Sequence, residues 1–189
     1  MTVNIIICHG AYGRPNENWY FWLGSELAKS GCNVFIPRFP TPENQSLENW
    51  LKVLEKYENY FGSNTILIGH SISCALVLKK IESLKHPIKA AFLVAGFIGG
   101  IGIEKFDAIN SSFFAQGFDW KNIRKIRKNC SHFEVFHSDN DTYLPIEKGE
   151  ELAKKLGVKL TLVRGAGHFN EKSGYRKFPL LLERIRRLF

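Results

Sequence analysis

Three residues of this chain have the types and the order needed for nucleophilic catalysis: Ser71, Asp141 and His168. Ser71 stands in the segment 65–75, TILIGHSISCA, where the apolar run Ile66, Leu67, Ile68 ends at Gly69 and the apolar positions from Ile72 onward take helical spacing. A serine at such a strand-to-helix corner is a nucleophile elbow, with the amide of Ile72 directed at the space where a substrate oxygen would sit. The usual pattern is G-x-S-x-G. Here Ser73 replaces the second glycine, a small enough side chain for strand and helix to approach closely. A nucleophilic serine needs a base, and the base needs an orienting acid. Asp139 and Asp141 follow the β-rich run 133–137, and His168 lies in the loop after the strand at 159–163. Asp139 comes as the strand ends and is expected to cap the turn by accepting the amide of Asp141, while Asp141 lies further into the loop. The second oxyanion amide is expected from the glycine-bounded loop after the first strand, at Ala11 or Tyr12. The plain alternative for Ser71 is a helix N-cap. A phosphate-cradling loop at Gly10–Gly13 is not supported, because neither G-K-[ST] nor G-x-G-x-x-G occurs there.

These residues must be carried by strands that end on one side of a sheet. The pattern predicts strands over 3–8, 33–36, 66–68, 88–94, 132–137 and 158–163, alternating with helices over about 18–30, 47–60, 72–81, 147–156 and 177–188. Strand–helix alternation specifies an α/β fold: an open, mostly parallel sheet of about six strands with helices on both faces. No linker, repeat or low-complexity tract interrupts it, so residues 1–189 read as one domain, too short for a large cap. Residues 97–118 are the longest stretch without clear regular structure. They contain Phe97, Ile98, Phe106, Phe113, Phe114 and Phe118, and are expected to form a flap over an apolar acyl pocket lined by Phe97, Ile98, Phe113 and Phe114, to which Trp19 and Phe169 also contribute.

The chain resembles the retinoblastoma-binding-protein-type small serine hydrolases, a compact branch of the α/β-hydrolases. The likeness is carried by residues 19–22 (WYFW), 39–42 (FPTP), 69–71 (GHS), 118–123 (FDWKNI), 141–145 (DTYLP) and 167–169 (GHF). It implies a minimal α/β-hydrolase with a Ser, Asp, His triad at Ser71, Asp141 and His168, acting on small carboxylic esters or amides without a cofactor. Thr142 departs from the proline that often follows the acid. No L-x-C-x-E stretch surrounds Cys8, Cys32, Cys74 or Cys130, so the protein-binding role of one branch is not carried over. The competing class is a catalytically silent interaction module on the same fold.

Composition narrows the partners. The net charge of +8 raises nucleic acid as a partner, but the positives at 121–128 and at Arg176, Lys177, Arg184, Arg186 and Arg187 read as solvated helix faces. Without an aromatic platform or a helix-turn-helix signal, no specific nucleic-acid function is expected. No run of about 18 apolar residues is present, and no basic stretch precedes the first apolar strand, so neither a membrane span nor a signal peptide is expected and a cytoplasmic enzyme is. Four cysteines without C-x-x-C spacing suit reduced thiols, and His9 and His70 lack metal-ligand spacing, so no metal is expected. The partner is a small-molecule ester or amide.

Overall fold

A computed structural model describes residues 2–118, 120 and 123–189, with only the backbone at Arg124. Asp119, Lys121 and Asn122, which belong to the 118–123 stretch and in part to the basic run 121–128, lie outside the described residues. Six strands form one sheet: β1 Asn4–Cys8, β2 Asn33–Phe35, β3 Thr65–His70, β4 Ala90–Val94, β5 Phe133–Ser138 and β6 Leu160–Val163. Their order is β2-β1-β3-β4-β5-β6, and every pairing is parallel. β1, β3 and β4 are buried throughout, as central parallel strands covered on both faces must be.

The helices are α1 Tyr20–Lys29, α2 Leu47–Glu55, α3 Ser73–Ser83, α4 Glu104–Phe114, α5 Ile123–Asn129, α6 Ile146–Leu156 and α7 Pro179–Arg186. α1 packs on α7, while α3 packs on α2, α4 and α5. Several ends are shorter than the pattern predicts. α2 stops at Glu55 and gives way to a separate 3₁₀ turn at Glu58–Tyr60. α7 starts only at Pro179, whose fixed φ and missing N–H suit the first helical position.

One element differs from expectation. The stretch 97–118 carries a regular helix, α4, of 11 residues. Its sequence mixes Asn and Ser with Phe, which weakens helical propensity, and its inward face is only Asn110 and Phe113. The Asp107 carboxylate accepts the amides of Ile101 (2.7 Å) and Gly102 (2.8 Å) and so closes the turn that leads into α4. The stretch is therefore helical over half its length where no regular structure was expected, and no large cap domain is present among the described residues.

The chain moves from β1 outward to β2, then returns past β1 to β3 and continues to β6. The reversal point lies between β1 and β3. Ligand crevices of open parallel sheets form at the carboxyl ends of strands at such a point. The loops after β1 and β3, with the Gly10 and Ser71 residues, meet there.

Candidate active site

Ser71 takes φ +59°, in the left-handed region that a non-glycine residue rarely occupies. Its amide is held by the Val94 carbonyl at 2.9 Å, which fixes the corner between β3 and α3. Gly69 permits that corner, because a Cβ there would meet the Ser73 carbonyl at 2.8 Å. Ser73 does more than fit. Its buried hydroxyl donates to the His9 carbonyl and ties the elbow helix to the loop after β1. Tyr12, Ala95 and Phe169 also have positive φ, so backbone strain collects around this one edge of the sheet.

Asp141 and His168 meet directly. His168 Nδ1 lies 2.7 Å from Asp141 Oδ2, with the carboxylate fully buried. Asp141 Oδ1 accepts the amides of Tyr143 (2.9 Å) and Leu144 (3.1 Å). Burial raises the Asp141 pKa, but the His168 hydrogen bond, its charge and these two amides outweigh burial and hold the carboxyl below its usual range. The turn-capping role expected of Asp139 thus falls to Asp141 itself. Asp139 Oδ1 instead accepts the Gly165 amide across the two loops, at 2.8 Å.

Asp139 is one part of a clamp. The Ser138 hydroxyl accepts the Ala166 amide (3.0 Å) and donates to Asn140 Oδ1 (2.8 Å), which in turn accepts the Gly167 amide (2.7 Å). Three consecutive side chains, from the last residue of β5 onward, therefore hold the three amides that lead into His168. Gly167 at φ +54° has no room for a Cβ, which would lie 2.2 Å from Ser173 Oγ.

The other side of the His168 loop is held from α1 and β3. The His168 carbonyl can only accept, so His70 Nε2–H donates to it at 2.8 Å. His70 Nδ1 must then accept from the Tyr20 hydroxyl (2.5 Å), and Asn18 Nδ2 donates to that hydroxyl (3.1 Å). Trp19 Nε1 donates to the Phe169 carbonyl at 2.9 Å, and Asn18 Oδ1 accepts the Glu171 amide at 2.8 Å. Complete burial, reinforced by the neighbouring His168, pushes the His70 pKa down to about 3 and keeps the ring neutral. Burial likewise lowers His9 and His137. His137 Nε2 donates to the Leu144 carbonyl (3.1 Å) and steadies the acid turn, while His9 accepts the Phe39 amide (3.0 Å) under the loop after β1.

Ser71 and His168 both face a cleft at this edge, which divides into two cavities of about 290 and 340 Å³ that share these two residues. Among the described residues, no hydrogen bond joins the Ser71 hydroxyl to His168. The amides of Ile72 and Ala11 likewise have no protein partner among them. The Tyr12 amide is engaged, donating to Thr41 Oγ1 at 2.7 Å, so of the two candidates in that loop Ala11 alone keeps a free N–H. Among the expected pocket residues, Phe97 lines the cleft. Trp19, Phe113 and Phe169 are fully buried in the core, drawn in by aromatic packing on Phe178, Trp50 and Tyr175, and Ile98 and Phe114 pack against that core without reaching the cleft. The rest of the wall includes Ile101, Phe106 and Asn110, all from the 97–118 stretch that was expected to wall the pocket, with Tyr143 and Leu144. Tyr143 and Leu144 come two and three residues after Asp141, a position from which they were predictable. Among the described residues, no group of three or more His, Cys, Asp or Glu side chains could hold a metal ion.

A family model described as serine hydrolase matches residues 5–187. The chain belongs to the serine hydrolase family. YdeN of Bacillus subtilis is 29% identical over 187 residues, 97% of this chain and 94% of that protein. The serine hydrolase RBBP9 of Rattus norvegicus is 30% identical over 166 residues, 87% of this chain and 85% of that protein. The crystal structure of the Bacillus subtilis ydeN product superposes with TM-score 0.90 at 27% identity, covering 100% of this chain and 99% of that one. Est1E of Butyrivibrio proteoclasticus shares the fold at TM-score 0.69 and 15% identity, covering 98% of this chain and 89% of that one. This serine hydrolase is thus an α/β-hydrolase-fold hydrolase of the RBBP9-type family. No helix among its described residues is long and apolar enough to cross a membrane.

Proposed function

We propose that this hydrolase cleaves small carboxylic esters or amides through an acyl-enzyme on Ser71. The observation that carries the reading is the 2.7 Å Asp141–His168 pair opening onto the same cleft as a serine held at φ +59°. In this mechanism His168 takes the Ser71 proton as the hydroxyl oxygen attacks the carbonyl carbon. The imidazolium that forms is stabilised by Asp141, whose bond to Nδ1 leaves Nε2 as the base. Oxygen charge in the tetrahedral intermediate is received by the amides of Ile72 and Ala11. His168 then protonates the leaving alcohol or amine, and water, activated by the same imidazole, releases the acid and restores Ser71. No step calls for a cofactor or metal. Four free, buried cysteines suit a reducing compartment, which supports a cytoplasmic setting.

The test is labelling with a fluorophosphonate probe beside a screen of p-nitrophenyl esters from acetate to octanoate, with aminoacyl esters and amides alongside. Stoichiometric modification of Ser71, abolished in His168→Ala, is the expected result. An inert Ser71 in a folded chain would make the protein an interaction module instead.

A further inference from the structure

The two cavities that meet at Ser71 differ in chemistry. One is walled by Phe97, Ile101, Phe106 and Leu144, and the other by polar groups that include Glu17, Asn18 and Glu171. An acyl group stays bonded to the enzyme while the leaving group departs and water enters, so the apolar lobe suits the acyl group and the polar lobe the leaving group and water.

The apolar lobe contains one buried amide, Asn110 on α4, only 3% exposed. Its orientation follows from a directional chain of hydrogen bonds. Thr41 Oγ1 accepts the Tyr12 amide and donates to Gln45 Oε1 at 2.5 Å, and Gln45 Nε2 lies 3.5 Å from the Ile109 carbonyl, which can only accept. Gln45 therefore presents Nε2 to Asn110, at 2.8 Å from Oδ1. Asn110 is left with its NH₂ toward the cleft, and Nδ2 has no protein partner among the described residues. The Asn110 NH₂ is thus a free donor on the wall of the cleft, where a substrate oxygen can take the place of water as its acceptor. Among the described residues that line this lobe the charged ones are Lys105 and Lys172, and Lys172 lines the polar lobe as well. The Asp107 carboxylate, on the same helix, is occupied by the Ile101 and Gly102 amides.

We propose that Asn110 is a specificity residue that donates to an oxygen acceptor on the acyl portion of the substrate, with Lys105 and Lys172 favouring a carboxylate there. The substrate class is then the half-ester or half-amide of a short dicarboxylic acid. This rests on the acyl-enzyme reading above and deepens it. The chain from Tyr12 to Asn110 also links the oxyanion loop to α4.

The experiment measures acid release at constant pH from the monoethyl esters of succinic, glutaric and adipic acids against ethyl butyrate, valerate and hexanoate. At the chain length that reaches Asn110, the half-ester is expected to have about tenfold or higher kcat/KM than its neutral match, as for a charge-assisted hydrogen bond, and added salt should reduce the ratio. Asn110→Leu should bring the ratio toward one. Asn110→Asp keeps the oxygen that accepts from Gln45 but turns the free donor into an acceptor, so it should push the ratio below one. If Ser71 reacts with a fluorophosphonate probe but the neutral ester equals or exceeds the half-ester at every length, or neither series is turned over, the inference is overturned and the hydrolase reading stands. If Ser71 is also inert to the probe, both fall.

Discussion

At the residue scale, the site separates two carboxylates that follow one strand within three positions. Asp141 is buried against His168 and spends its second oxygen on two amides, whereas Asp139 holds only the Gly165 amide from an exposed position. Asp141→Asn should keep the fold but lower kcat by roughly 10³ to 10⁴, because the amide favours the wrong imidazole tautomer. Asp139→Asn retains an acceptor oxygen for Gly165 and should cost less than about tenfold. Both variants at saturating ester decide the matter, and a crippled Asp139→Asn beside an active Asp141→Asn would transfer the acid role to Asp139. Ser71→Ala and His168→Ala should each lower kcat by about 10⁴ to 10⁶, with the double variant scarcely worse than either, since groups that act as a unit are not additive. Multiplying losses in the double variant would mean that Ser71 and His168 act separately.

At the element scale, what the sequence shows and what it hides have separate physical causes. The placement of Ser71, Asp141 and His168 at one edge of the sheet was legible because each sits where a β-rich run stops, and ligand crevices of parallel sheets lie at strand ends. The strands were legible because central parallel strands are apolar without interruption, as in Ile5–Ile7 and Ile66–Ile68, whereas their order in the sheet was not read from the sequence. α4 was not legible, because its stability comes from Phe113 against Trp50 and from the Asp107 turn, both tertiary features of a sequence with weak helical propensity. Ser138 and Asn140 read as ordinary turn residues, yet their side chains bind the amides before His168. Nothing in their types shows that the partners lie 27 or 28 residues away. Asn140→Ala removes the acceptor of the Gly167 amide and frees one side of the His168 loop. The expected outcome is a kcat about 10- to 100-fold lower with a much smaller change in KM, since a displaced base costs rate more than binding. A pure rise in KM would place Asn140 in substrate binding instead.

At the scale of the whole molecule, the reversal of strand order between β1 and β3 gathers four histidines, His9, His70, His137 and His168, at one end of the sheet, and the first three of these are buried. Closing the fold around neutral imidazoles has a consequence for stability. The unfolded chain takes up a proton at His70 near its ordinary pKa of about 6.5, whereas the folded chain resists it down to about 3. Between those values the unfolded state binds more protons, so this group's contribution makes stability fall as pH is lowered from about 6.5 and leaves it unchanged above that. At pH 5 the effect is about 2 kcal/mol for a shift of this size, an order-of-magnitude figure. His9 and His137 add to it in the same direction. Asp141 acts with them in acid: its lowered pKa gives stability at neutral pH that is lost only as pH falls below the ordinary carboxylate range. The contribution of His70 is separable by His70→Gln, whose amide can still donate to the His168 carbonyl and accept from Tyr20 but does not titrate. The wild-type chain should lose more thermal stability between pH 7.5 and pH 5 than His70→Gln does, even if the variant starts from a lower Tm. Equal losses in the two chains would show that His70 is protonated in the folded state at pH 5, and that the Tyr20–His70–His168 chain is not the neutral network its hydrogen bonds require.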